Sequence, residues 1–218
     1  RKESMDAIIK ECETLDLSWL ESTIGDFHLV VEQKAISSTV YSIFYYTNDR
    51  NWRWSVLYDT EVGDYMVRIT VPLVEFVDIA FIRESLTPFM ENLKANYKAS
   101  IITRFMEPQE GFVYEYKKKG IPQWNYGEAL PQTIEGYHLD VTPHTALDMI
   151  NGSYIIGTYI KDNEETGVVL FYNTFRDEFF GETRQQGYPG ITHDLDATTI
   201  DKFEQALTNH LQDVLLSL

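Results

Sequence analysis

The sequence predicts an α+β protein of two similar units, each an antiparallel sheet packed with helices. Three observations carry this. A segment near the start, Ile24-Gly-Asp-Phe-His-Leu-Val-Val31, returns as Ile134-Glu-Gly-Tyr-His-Leu-Asp-Val141. The chain holds 14 Tyr, 12 Phe and 4 Trp, side chains that fit a pleated, half-buried surface. An amphipathic helix closes each half instead of alternating with strands, so nothing demands a parallel sheet.

The correspondence continues downstream. Tyr41-Ser-Ile-Phe-Tyr-Tyr46 with Asp49 matches Tyr154-Ile-Ile-Gly-Thr-Tyr159 with Asp162. Val56-Leu57-Tyr58 matches Val169-Leu170 and Tyr172, and Asp64-Tyr65 matches Glu178-Phe179. The spacing is far too long for a solenoid repeat and points instead to two folding units.

In chain order, Ser4 is a candidate N-cap, and Met5, Ile8, Ile9, Cys12 and Leu15 follow at helical spacing. Strands are expected at Phe27–Val31 and Val40–Tyr46, with a turn at Asn48–Asn51. Trp52, Trp54, Val56 and Tyr58 then alternate with Arg53, Ser55, Leu57 and Asp59, the period of a sheet with one buried face. Tyr65, Val67, Ile69 and Val71 share the face of a further strand. Ile82, Leu86, Phe89, Met90, Leu93 and Tyr97 form a helical stripe in which Pro88 requires either a fresh start or a bend. A hairpin is expected near 100–117, closing a first unit over 1–117. The prolines and glycines of 118–133 mark a linker.

The second unit is expected over 134–218. Thr142-Pro143 suits the start of a short helix, and strands should follow near 153–160, 168–173 and 178–183. Asp196 or Thr198 is the expected cap of a last helix, striped by Ile200, Phe203, Leu207, Leu211, Val214 and Leu218. Gly181–Leu195 is expected as a loop, longer than its counterpart in the first unit.

The net charge is −16, from 18 basic and 34 acidic residues. Residues 1–110 carry 11 basic and 18 acidic residues, and 111–218 carry 7 and 16, so both units are acidic. That field repels phosphate backbones and argues against nucleic-acid binding. It suits a basic protein partner. The single Cys12 cannot form an internal disulfide, which favours a reducing compartment. No apolar stretch is long enough for a membrane span, and no leader is evident at Arg1. The expectation is therefore a cytoplasmic protein.

Chemistry is sparse. His28 and His138 occupy equivalent positions and, flanked by apolar residues, read as structural. His193-Asp-Leu-Asp196 supplies metal-ligand types, yet Asp196 is explained as a helix cap and nothing nearby completes a set. Neither a metal site nor a cofactor is expected. A nucleophile elbow, a phosphate-binding glycine loop and a zinc-protease motif are all missing, so the balance leans away from an enzyme. Two clusters are candidate binding surfaces. The first is Arg184, Gln185, Gln186 and Tyr188 on the expected loop, where long connections tend to carry function. The second is Trp52 and Trp54, read as core or as an aromatic platform.

The helix–sheet–helix layout is shared by many bacterial secretion chaperones, immunity proteins and small sensory domains, and a layout does not specify a function. The composition favours a non-catalytic binding or adaptor module, chaperone-like or immunity-like, for a protein partner. The alternative is a sensory module holding a small molecule at a sheet face or between the units.

Overall fold

A computed structural model describes residues 2–162 and 164–218. The fold is α+β with two antiparallel sheets, and the chain divides into two compact units, Arg1–Ile102 and Thr103–Leu218.

The first unit opens with α1, Met5–Cys12. The Ser4 side chain caps it by accepting from Ala7 N at 3.2 Å. Its inner face presents Ile8 and Cys12, one helical turn apart and both fully buried. Six strands follow: β1 (Thr23–Ile24), β2 (Phe27–Ala35), β3 (Val40–Thr47), β4 (Arg53–Asp59), β5 (Asp64–Val71) and β6 (Val74–Arg83). They pair in sequence order as one meander. On the expected face of β4 and β5, Trp54, Val56, Tyr58, Tyr65, Val67, Ile69 and Val71 are all buried, but the other face is not simply open, since Leu57 and Met66 are buried there with Val40. Helix α2, Leu86–Ile101, closes the unit and buries Phe89, Leu93, Tyr97 and Ile101. Pro88 lies in its first turn, where a missing N–H costs nothing, so the helix starts fresh instead of bending. Ile82, expected in that helix, belongs to β6.

The expected hairpin near 100–117 is helical instead. Residues Ile102–Met106 and Pro108–Gly111 form irregular helical turns, and α3 spans Tyr114–Lys118. The segment expected as a linker carries large apolar groups into a core. Ile121, Trp124 and Leu130 are buried with Tyr116 among Tyr154, Phe179 and Phe203. Proline and glycine there shape turns around these anchors.

The second sheet comprises β7 (Thr133–Ile134), β8 (Tyr137–Leu139), β9 (Leu147–Asp148), β10 (Ser153–Ile160), β11 (Gly167–Asn173), β12 (Glu178–Gln185) and β13 (Tyr188–Ala197). Its order is β13-β12-β11-β10-β8-β7, with β9 pairing β10 off that path. Thr142-Pro143 starts only a single 3-10 turn, Pro143–Thr145, before the chain turns back into β9. Helix α4, Ile200–Leu216, closes the unit; its cap is Thr199, one residue beyond Thr198.

Leaving β9 aside, the two sheets share order and register. Ile24 pairs Phe27 and Thr23 pairs His28, as Ile134 pairs Tyr137 and Thr133 pairs His138. Register shifts fall at equivalent places, between Ser42 and Phe44 on β3 and between Ile155 and Gly157 on β10. Tyr46 Oη donates to Glu21 O at 2.6 Å, and Tyr159 Oη donates to Pro131 O at 2.8 Å. The Tyr65 and Phe89 rings stack at 5.3 Å, as do those of Phe179 and Phe203 at 4.8 Å.

Cys12 is fully buried, and burial pushes its thiol up to about 11. The thiolate is the reactive form. In native protein at neutral pH, Cys12 is expected to ignore a disulfide reagent and to react stoichiometrically once unfolded. Rapid labelling without denaturant would contradict this burial.

Candidate functional site

Residues 181–194 do not form a loop. They lie in β12 and β13, joined by the two-residue turn Gln186-Gly187 with φ of 50° and 83°. Positive φ at both central residues is the type I′ hairpin signature, and Gly187 provides it without Cβ strain. The expectation that the first unit connects with fewer residues also fails, because β6 and β13 are both 10 residues long. The sequence misleads here because two of its glycines serve packing. A Cβ at Gly181 would lie 2.9 Å from Leu195 Cδ1, and one at Gly190 would lie 2.4 Å from Thr183 Oγ1.

The hairpin tip is anchored. Gln186 N donates to Thr166 Oγ1 at 3.0 Å and Gly187 N donates to Glu165 O at 2.8 Å. Arg184 is not an open fork: Nη1 donates to Glu182 Oε1 at 2.9 Å and to Thr183 O at 3.2 Å, with only 14% of the side chain exposed. Gln185 and Gln186 are exposed, and Tyr188 is 78% exposed. Three residues on, Ile191 is 81% exposed, an anchor that sequence reading missed because the strand was not recognised. Glu164, Glu165, Asp194 and Asp196 are exposed along the same strand and its neighbouring loop.

Trp52 and Trp54 form no platform. Both are buried; Trp54 Nε1 donates to Ser100 Oγ at 3.2 Å, and the ring meets Phe81 edge-on. The Arg50 guanidinium lies 3.8 Å over the Trp52 ring.

The histidines also depart from expectation. His28 is exposed, and His138 is half-buried with Nε2 4.0 Å from Asp162 Oδ1. Each stands directly across from Thr23 or Thr133 at a sheet corner. The signal was present in the sequence, since the histidines and the Asp49/Asp162 pair recur at matching positions, but apolar flanks masked their exposure. His193 Nδ1 lies 2.9 Å from Asp196 Oδ2, while Thr199 caps α4.

In the second unit Lys119 Nζ donates to Asp177 Oδ1 and to Thr198 O, each at 2.6 Å, and Tyr172 Oη donates to the same carboxylate. These hydrogen bonds, Lys119's foremost, hold the Asp177 carboxyl below its usual range. The lysine thus joins the end of α3 to the β11–β12 turn and to the approach to α4.

Among the described residues, no group of three or more His, Cys, Asp or Glu is placed to hold a metal ion. No helix among them is long and apolar enough to cross a membrane. Compared with known proteins, the chain matches no protein-family model, no curated protein and no solved structure.

Proposed function

We propose that this chain is a non-catalytic binding module for a basic protein partner, with the β12–β13 hairpin as the contact. One observation carries the reading: Tyr188 and Ile191, 78% and 81% exposed, stand on the two faces of the anchored edge strand β13, ahead of its register shift. An aromatic and a branched aliphatic side chain held rigidly in water are typical anchors of an interface, because neither loses much conformational freedom on binding. The net charge of −16 favours a partner of opposite sign. Arg184, bonded to Glu182 and Thr183 of its own strand β12, lies beside the strand that presents these anchors. We also read the two units as copies of one ancestral unit, supported by the common strand order, register and tyrosine hydrogen bonds.

Wild-type protein and a Tyr188→Ala/Ile191→Ala variant, used as parallel baits, test this reading. A basic protein should be retained by the wild type, released as salt rises, and bound at least about tenfold more weakly by the variant, the loss expected for two interface anchors. Thermal stability should hardly change, since both side chains already face water. An acidic partner, or capture indifferent to the double substitution, would count against it.

A further inference from the structure

The shared register allows each position of one unit to be compared with its counterpart in the other, and most identical residues have a structural reason. Tyr41/Tyr154, Ile43/Ile156, Tyr46/Tyr159, Tyr58/Tyr172, Phe89/Phe203 and Leu93/Leu207 are all buried. Thr60 and Thr174 repeat one latch, in which both N and Oγ1 donate to a carbonyl, Thr39 O in one unit and Gly152 O in the other. One retained trio has no such reason: Thr23, His28 and Asp49, matched by Thr133, His138 and Asp162. All are exposed except the half-buried His138.

In the second unit the trio comes together in space, whereas in the first Asp49 lies two residues beyond Thr47, the residue across from His28. Thr23 pairs across the hairpin with His28, and Thr133 with His138. Asp49 follows β3, the strand that pairs with β2, and Asp162 follows β10, where His138 Nε2 is 4.0 Å from its carboxylate. The surroundings differ. Asn48 Nδ2 donates to Asp26 Oδ2 at 3.2 Å in the first corner, whereas Lys161 lies 4.5 Å over the Tyr137 ring in the second. In the first corner Thr47, directly across from His28, also has a buried hydroxyl with no hydrogen-bond partner.

We propose that each Thr–His–Asp corner receives one basic side chain of a protein partner. This rests on the reading of the chain as an acidic binding module. A carboxylate and a hydroxyl oxygen both accept hydrogen bonds, and beside an imidazole ring they suit an ammonium or guanidinium group that has only donors to offer. The competing explanation is structural: a Thr–His cross-strand pair stabilises a short hairpin.

The test uses a fluorescent oligo-arginine peptide at low salt, followed by anisotropy, with melting curves for every variant. Asp49→Asn/Asp162→Asn is compared with Glu91→Gln/Glu110→Gln, which makes the same charge change at one exposed position per unit outside the two trios. The corner pair should weaken binding about fivefold or more and the control pair less than about twofold, as expected for local against diffuse charge contacts. Equal weakening by the two pairs would overturn the corners while leaving the basic-partner reading intact. No peptide binding by the wild type would overturn both. Thr23→Val/Thr133→Val adds a further check: a lowered Tm with unaltered peptide affinity would make the trio a structural device and sink the proposal.

Discussion

Raising the pH beyond about 10, the ordinary tyrosine pKa, is expected to unfold this protein cooperatively, with phenolate absorbance appearing as the circular dichroism is lost. Burial, the largest cause in each case, holds the hydroxyls of Tyr41, Tyr46, Tyr65, Tyr116, Tyr154, Tyr159 and Tyr172 above their ordinary range. Several also donate hydrogen bonds that ionisation would destroy, as Tyr46 does to Glu21 O and Tyr159 to Pro131 O. These groups are protonated in both states below the unfolded pKa, so the folded state has its full stability there. Above that pH the unfolded chain releases protons that the native chain retains, and stability falls with each further rise toward the folded pKa values. The effect is large because the affected tyrosines lie in both units. Gradual appearance of phenolates with the secondary structure intact would show that these hydroxyls are not held as described.

Phe203→Ala should be among the most damaging of the simple truncations, removing about 3–5 kcal/mol of stability by the measure of buried aromatic deletions. Phe203 is fully buried, stacks on Phe179 at 4.8 Å and 17°, and meets Trp124 at 6.0 Å. It joins α4 to the sheet and to the segment that precedes β7. Marginal stability makes a loss of that size a large part of the whole, so the urea midpoint should fall steeply with little change in slope. Phe89→Ala should behave alike in the first unit, where the ring stacks on Tyr65 at 5.3 Å. A shift below about 1 kcal/mol would mean that neighbouring side chains refill the site, as occurs where a core can collapse.

Much of the architecture was legible because the strongest signals were periodic. The buried Trp54, Val56 and Tyr58, the stripe from Phe203 to Val214 and the pairing of the twin Ile–His–Leu segments are found as the periods predict, while the burial of Leu57 on the opposite face is not. What escaped were the edge strands. β6 was missed in part because the Ile82–Phe89 spacing imitates a helix, and β13 because Gly181, Gly187, Pro189 and Gly190 look like loop punctuation. An edge strand has one side facing solvent and tolerates proline, so it gives a weak pattern. The segment 103–133 was misread for another reason: its anchors are irregularly spaced aromatics, whose burial depends on contacts distant in sequence. At the candidate site, Tyr188 was visible by residue type, but the engaged state of Arg184 and the exposure of Ile191 and His28 depend on which face each strand presents.

The meander itself governs how such a chain can be made. Apart from the detour at β9, every strand in either sheet pairs with the strand synthesised just before it. Each new pairing closes only a short loop, which keeps the entropic barrier to assembly low. A sheet of this order can grow strand by strand from its first hairpin as the chain leaves the ribosome, with α2 and then α4 arriving last to cover the face already formed.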